Sequence, residues 1–142
     1  NDVRRKILIL ARESGWPLEA KDVIIDELLP TPLNEAATVD SFFELLPEYD
    51  QHFDELRLKA AKENKVLRII ASLDEKGRAR IALEAVGTES PFYFLSGSDN
   101  MIAFRTERYK DRPLVVRGPG AGAEVTAAGV FAEIISIGSF LN

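Results

Sequence analysis

The sequence predicts an α+β fold, with a mostly antiparallel or mixed sheet of four to five strands covered by helices. Three observations support this class. Apolar residues recur at helical spacing at the start of the chain, they alternate with polar residues between 66 and 86, and a small-residue apolar helix follows a glycine turn near the end. Runs of strands bracketed by helices are typical of α+β domains, and 142 residues fit one ordinary domain.

The first part of the chain is predicted to be mainly helical. Val3, Ile7 and Leu10 share one face of a helix over residues 2–13. Residues 21–30 are rich in β-branched side chains at their centre and end in proline, which predicts a short strand followed by a loop.

Two more helices are predicted before the sheet. Thr38 or Asp40 is suited to cap a short helix that runs to Leu46. A second helix is indicated by one apolar stripe, formed by Tyr49, Phe53, Leu56 and Ala60.

The second half is predicted to hold most of the sheet. Alternating apolar residues at 67–73 and 79–85 flank a turn at 74–77, which indicates a hairpin. Further strands are predicted at residues 92–95, 101–109 and 114–117.

Composition excludes several classes of function. A net charge of -5 and a pI near 5.0 disfavour binding to a phosphate backbone, so no nucleic-acid partner is expected. No apolar run approaches the roughly 20 residues that span a bilayer, so no membrane partner is expected either. With no cysteine and one histidine, we expect no metal site. The chain opens without Met or a signal-peptide pattern, and we expect a piece of a longer, cytoplasmic protein.

A cluster of basic residues in the last predicted strands is interpreted as the solvated face of a half-exposed sheet. Single-stranded nucleic acids require aromatic platforms between the charges, and no such platform repeats here. The cluster comprises Arg105, Arg108, Lys110, Arg112 and Arg117.

A glycine loop near the end of the chain is the first candidate binding element. Gly118, Gly120 and Gly122 are spaced two apart between a predicted strand and the start of the final helix. Glycines let backbone amides approach a ligand closely, and a helix start presents unpaired N–H donors. The alternative is a tight turn that merely lets the helix pack against the sheet.

Asp2 and Lys6 are the second candidate, because they stand four positions apart and share one face of the first helix. An ordinary surface ion pair would explain this spacing. The functional interpretation is that Asp2 holds a substrate ammonium group. Lys6, partly desolvated by Val3 and Ile7, would have a lowered pKa and exchange a proton with a hydroxyl or carbonyl group.

Both ends of the chain resemble the homoserine dehydrogenase family. The substrate-site signature of that family closes with Gly-x-Asp-x-x-x-Lys, and its Asp and Lys match Asp2 and Lys6. Its Gly-Ala-Gly-Ala-x-Val-Thr-Ala-Ala-Gly-Val run resembles residues 120–130. The likeness covers essentially the whole chain and is nearest to the C-terminal part of the form that is fused to aspartokinase.

The resemblance implies NAD- or NADP-dependent interconversion of aspartate 4-semialdehyde and L-homoserine, in threonine and methionine biosynthesis. By position, Lys6 resembles the proton donor to the forming alkoxide, and Asp2 a substrate-binding carboxylate. Gly122, together with Gly120, resembles the turn that touches the nicotinamide nucleotide.

The same resemblance implies how the domain is organised. Residues 1–142 would form the C-terminal portion of the catalytic domain, which binds substrate and forms a homodimer or higher homo-oligomer. The nucleotide-binding Rossmann half would lie upstream, so the isolated chain is predicted to be inactive. The alternative from another functional class is a non-catalytic α+β binding or assembly module, in which the glycine loop only packs helix against sheet.

Overall fold

A computed structural model describes residues 2–141, which form two compact units that divide after Thr88. The first unit holds four helices and three strands, and the second holds two strands and the final helix. The first unit comprises α1 (Asp2–Glu13), β1 (Ile24–Ile25), α2 (Thr31–Asn34), α3 (Val39–Leu45), α4 (Asp50–Lys62), β2 (Val66–Leu73) and β3 (Ala79–Val86). The second comprises β4 (Asp99–Phe104), β5 (Leu114–Pro119) and α5 (Ala123–Phe140). Short 3-10 helices lie at Ala20–Asp22, Leu46–Tyr49 and Pro91–Phe94.

The predicted α+β class is confirmed, but the five strands are divided between two sheets. In the first unit the strand order is β1-β3-β2, with β2 antiparallel and β1 parallel to β3. In the second unit β4 and β5 form an antiparallel pair. Sequence alternation predicts individual strands, whereas their assignment to a sheet depends on pairing between distant segments.

The core of the first unit lies between α1 and the three-stranded sheet. Ile7 on α1 packs with Val23, Ala79 and Ile81, and each of these side chains is at most 7% exposed. The predicted apolar face of α1 therefore forms the core that holds this helix against β3.

The segment after β1 is bound to β3 by a long-range ion pair. The backbone N–H of Asp26 donates to the carbonyl of Ile81 at 2.9 Å. The guanidinium of Arg80 donates to both carboxylate oxygens of Asp26, at 2.9 and 2.5 Å. These bonds join segments that are 54 residues apart and extend the parallel pairing of a two-residue strand.

Two of the predicted strands differ from the structure. The strand predicted at 92–95 is wrong, because Pro91 begins a 3-10 turn there and the Ser90 hydroxyl accepts a hydrogen bond from the N–H of Phe92. The strand predicted at 101–109 ends at Phe104, after which the Tyr109 N–H closes a turn onto the Thr106 carbonyl.

Apolar residues lie on all sides of the final helix and outnumber its two acidic residues. None of α5 is buried within the described residues. By length and composition alone, this 18-residue helix could cross a membrane. This finding corrects the expectation that no apolar run approaches the length of a membrane span. One such helix is weak evidence for a membrane span. Glu124 and Glu133 lie nine residues apart, which places one carboxylate on each of two opposite sides of the helix.

Candidate functional site

Asp2 and Lys6 are brought together at the start of α1. The Lys6 Nζ atom lies 2.8 Å from the Asp2 Oδ2 atom, one helical turn away. The side chains are 52% and 75% exposed, respectively. Ile7 is buried in the core, whereas about half of the neighbouring Lys6 side chain stays exposed, so its neighbours in this unit desolvate Lys6 only in part.

The ion pair fixes the charge of the carboxylate. The hydrogen bond from the Lys6 ammonium, together with its positive charge, holds the pKa of Asp2 below its ordinary value. Asp2 is therefore ionised at neutral pH. A carboxylate offers about four acceptor positions, so one bond from Lys6 leaves capacity for a further cation.

The glycine loop lies in the second unit, between β5 and α5. Gly122 is the residue before the helix, and its φ of +147° is a conformation that side chains rarely adopt. Nothing lies within 4 Å of a Cβ atom built on Gly122. The backbone is therefore open to a ligand at this point, directly before the N-terminus of an 18-residue helix.

Gly120 is a glycine for a different reason. A Cβ atom there would fall on the side-chain carboxamide of Asn100, on the neighbouring strand β4. Asn100 directly precedes the strand predicted at 101–109 and was not among the predicted site residues. Asparagine is a common turn residue, so its position gave no signal of a contact with the glycine loop.

The basic cluster is partly explained by pairing across the second sheet. Arg117 on β5 donates to the carboxylate of Asp99 on β4 at 2.7 Å, and its guanidinium also reaches the Ser96 hydroxyl at 3.5 Å. An arginine engaged in this way supports the interpretation of the cluster as a sheet face rather than as a phosphate-binding surface.

Two cavities of the first unit lie away from the predicted site residues. One of about 330 Å³ is lined by residues between Leu33 and Phe42, and one of about 190 Å³ lies between α4 and the sheet. Neither contains Asp2 or Lys6. Among residues 2–141, no group of three or more His, Asp or Glu side chains could hold a metal ion.

Comparison with known proteins assigns these residues to a family. A family model described as homoserine dehydrogenase matches residues 1–135. The chain belongs to the homoserine dehydrogenase family. The match favours the enzymatic interpretation of the chain over a non-catalytic module.

Individual relatives agree with this assignment. The chain is 48% identical to a bifunctional aspartokinase/homoserine dehydrogenase from Arabidopsis thaliana, over 99% of its own length and 16% of the relative's. It is 43% identical to a homoserine dehydrogenase from Schizosaccharomyces pombe, over 96% of its length and 37% of the relative's. A crystal structure of a Candida auris protein of unknown function superposes with a TM-score of 0.86 at 43% identity, covering 97% of this chain and 39% of the other.

The coverage is unequal in every comparison. The chain spans about a sixth of the bifunctional relatives and less than two fifths of the S. pombe enzyme. Most of each relative therefore has no counterpart in these 142 residues.

Proposed function

We propose that this chain is the C-terminal, substrate-side portion of a homoserine dehydrogenase, and that the longer enzyme interconverts aspartate 4-semialdehyde and L-homoserine. The family match over residues 1–135 is the observation that carries this proposal. Fusion to aspartokinase is part of it, because relatives from plants and bacteria with that bifunctional name match the chain at 41–48% identity.

Lys6 is the proposed proton donor. Reduction of an aldehyde leaves negative charge on its oxygen, and an ammonium group beside that oxygen stabilises the charge and then transfers a proton to form the hydroxyl. In the oxidative direction the amine accepts the same proton. NAD(P)H, when bound, supplies the hydride. Because Lys6 is half exposed here, its desolvation would come from parts of the enzyme outside this unit.

Asp2 is the proposed ligand of the substrate ammonium group. Both homoserine and aspartate semialdehyde carry an α-ammonium group, and an ionised carboxylate pairs with it directly. The lowered pKa of Asp2 keeps this carboxylate charged, and Lys6 holds it at the start of α1. Asp2 thus orients the substrate, and Lys6 donates or accepts the proton.

Gly120 and Gly122 form the proposed contact with the nicotinamide nucleotide. The space around Gly122 admits a ligand edge, and the start of α5 adds backbone N–H donors. Glu124 stands in the first turn of the same helix. Its negative charge opposes a phosphate group and favours the cationic nicotinamide ring at this end of the cofactor.

The exposed apolar surfaces support the proposed domain organisation. A helix with apolar residues on all sides is typical of a fully enclosed position, so we propose that α5 packs against the part of the enzyme outside this chain.

The eight-residue strand β2 is an edge of its sheet within the described residues, with Ile69 57% exposed, and we propose that a second subunit covers it. Light scattering of the full-length enzyme at the monomer mass would contradict the homodimer. A cytoplasmic location stays a prediction, since the plant relatives are named chloroplastic.

The decisive experiment measures homoserine-dependent reduction of NAD⁺ and NADP⁺ by the full-length enzyme. Lys6→Ala is expected to lower kcat by roughly 10²- to 10⁴-fold with little change in the KM for homoserine. Asp2→Asn is expected to raise that KM more than it lowers kcat. Lys62→Ala, which removes an exposed lysine from α4, is the matched control and should retain wild-type kinetics.

Two results would overturn the assignments. Wild-type kcat in Lys6→Ala, with the variant folded by circular dichroism, would remove the proton-transfer role. Turnover by the purified 142-residue chain alone would contradict the prediction that the isolated chain is inactive.

A further inference from the structure

We propose that Asn100 is a positioning residue that fixes the backbone of the glycine loop for nucleotide binding. This inference rests on the proposed function, because the loop matters to catalysis only if the nicotinamide nucleotide binds there. Neither Asn100 nor strand β4 forms part of the motifs that led to the proposed site.

The sheet of the second unit places Asn100 beside the loop. Asn100 on β4 is the register partner of Gly118 on β5, two residues before Gly120. The chain then leaves the strand, and the N–H of Gly120 still reaches the carbonyl of Ser98 at 3.4 Å. The loop therefore begins while its backbone is still bonded to the residue that precedes β4.

The side chain of Asn100 occupies the space that a side chain at position 120 would need. The three atoms nearest to a Cβ built on Gly120 all belong to Asn100, and they are its amide nitrogen, its carboxamide carbon and its Cβ, the last at 3.0 Å. The φ of Gly120 lies outside the left-handed region, so this angle does not by itself require glycine. A Cβ atom at position 120 would therefore require the Asn100 carboxamide to move from the position it occupies.

Gly122 provides the internal contrast. Its φ of +147° is strained for any other residue, and a built Cβ finds open space. Replacement of Gly122 is therefore unfavourable whatever residue stands at position 100. The two glycines of the loop are required for separable physical reasons, and only the first depends on Asn100.

A close contact of this kind restricts the loop. The carboxamide occupies the position that a Cβ of residue 120 would take, and its proposed effect is to restrict the backbone between β5 and the start of α5. Without it, residues 120–122 gain conformational freedom, and their N–H groups point less consistently at a ligand. Binding of the nucleotide would then have to order the loop, which lowers affinity.

The test is a double-mutant cycle in the full-length enzyme. Asn100→Ala is expected to raise the KM for NAD(P)⁺ about tenfold, because small displacements of positioned groups are costly, while the KM for homoserine stays near wild type. Gly120→Ala alone should be worse, and Gly120→Ala combined with Asn100→Gly should recover much of the loss. Gly122→Ala, the matched control, should show no recovery in the Asn100→Gly background.

A second readout needs neither cofactor nor activity. Hydrogen exchange of the ligand-free enzyme should show faster exchange at residues 118–124 in Asn100→Ala, with unchanged exchange in β2 and β3. Unchanged exchange at 118–124, or equal effects of Gly120→Ala in both backgrounds, would overturn the positioning role. If the wild-type enzyme lacks homoserine dehydrogenase activity, the proposed function fails. Hydrogen exchange and the thermal stabilities of the Asn100 and Gly120 variants then still decide whether Asn100 orders the loop.

Discussion

Truncation of Ile7 tests whether the core under α1 is built as described. Ile7 is 5% exposed and packs on Ala79 and Ile81, whereas Ile9 on the same helix is 61% exposed. Ile7→Ala removes three carbon atoms, worth about 2.4 kcal/mol at roughly 0.8 kcal/mol per buried methylene. The cavity left behind raises the expected loss of unfolding free energy to about 3–4 kcal/mol.

Ile9→Ala is the matched control, because the same atoms are removed from the same helix. Less than half of the Ile9 side chain is buried, so the loss is at most about 1 kcal/mol. In both variants the higher helix propensity of alanine returns about 0.4 kcal/mol, which cancels in the comparison. The two variants should therefore differ by about 2–3 kcal/mol.

The single tryptophan makes the assay specific to the first unit. Trp16 lies over Gly77 in the β2–β3 turn, so its fluorescence during urea unfolding reports on the unit that contains α1. If Ile7→Ala is too unstable to measure, Ile7→Val should lose about 1 kcal/mol in the same assay. Equal unfolding free energies for Ile7→Ala and Ile9→Ala would refute the packing described here.

Two further predictions concern local contacts. The hydrogen bond and the charge of Arg80 lower the pKa of Asp26 in the folded protein. The pair therefore stabilises the fold fully above the unfolded pKa of about 3.9, and this stabilisation is lost as the pH falls through the lowered folded-state pKa. The urea midpoints of wild type and Asp26→Asn should therefore differ at pH 6 and converge in acid, and a constant gap across pH would contradict the linkage. The Thr38 hydroxyl accepts a hydrogen bond from the Ser41 N–H at 3.1 Å, so Thr38→Ala should destabilise α3 by about 1 kcal/mol, seen as faster exchange of its amides, whereas Thr38→Ser should behave as wild type.

Local periodicity predicted the elements whose structure is decided locally. The helix predicted at residues 2–13 has those bounds in the structure. Thr38 and Asp40 were the two residues predicted to cap the next helix, and Thr38 caps α3. The hairpin formed by β2 and β3 also follows the predicted alternation. In each case the informative residues lie close together in the sequence, so their spacing alone predicts the element.

Three features were missed because apolar spacing alone does not determine them. Aromatic residues at 92–94 favour a strand, but Pro91 and the Ser90 hydroxyl impose a turn. Val3 and Ile7 were expected to desolvate Lys6 in part, but spacing did not give the extent. Consecutive helical residues diverge by about 100°, so a buried Ile7 leaves the Lys6 side chain 52% exposed. The Asn100 contact with Gly120 exists only after β4 and β5 have paired.

The mixed topology of the first sheet has a consequence for the order in which it assembles. β2 and β3 are joined through residues 74–78, so their antiparallel pairing closes a small loop and can form early. The parallel partner β1 pairs through two residues, and its ion pair with β3 closes a loop of 54 residues, which is entropically costly. During synthesis the hairpin must therefore emerge before β1 can dock. Under stress, separation of β1 from β3 should be the first step by which this sheet comes apart.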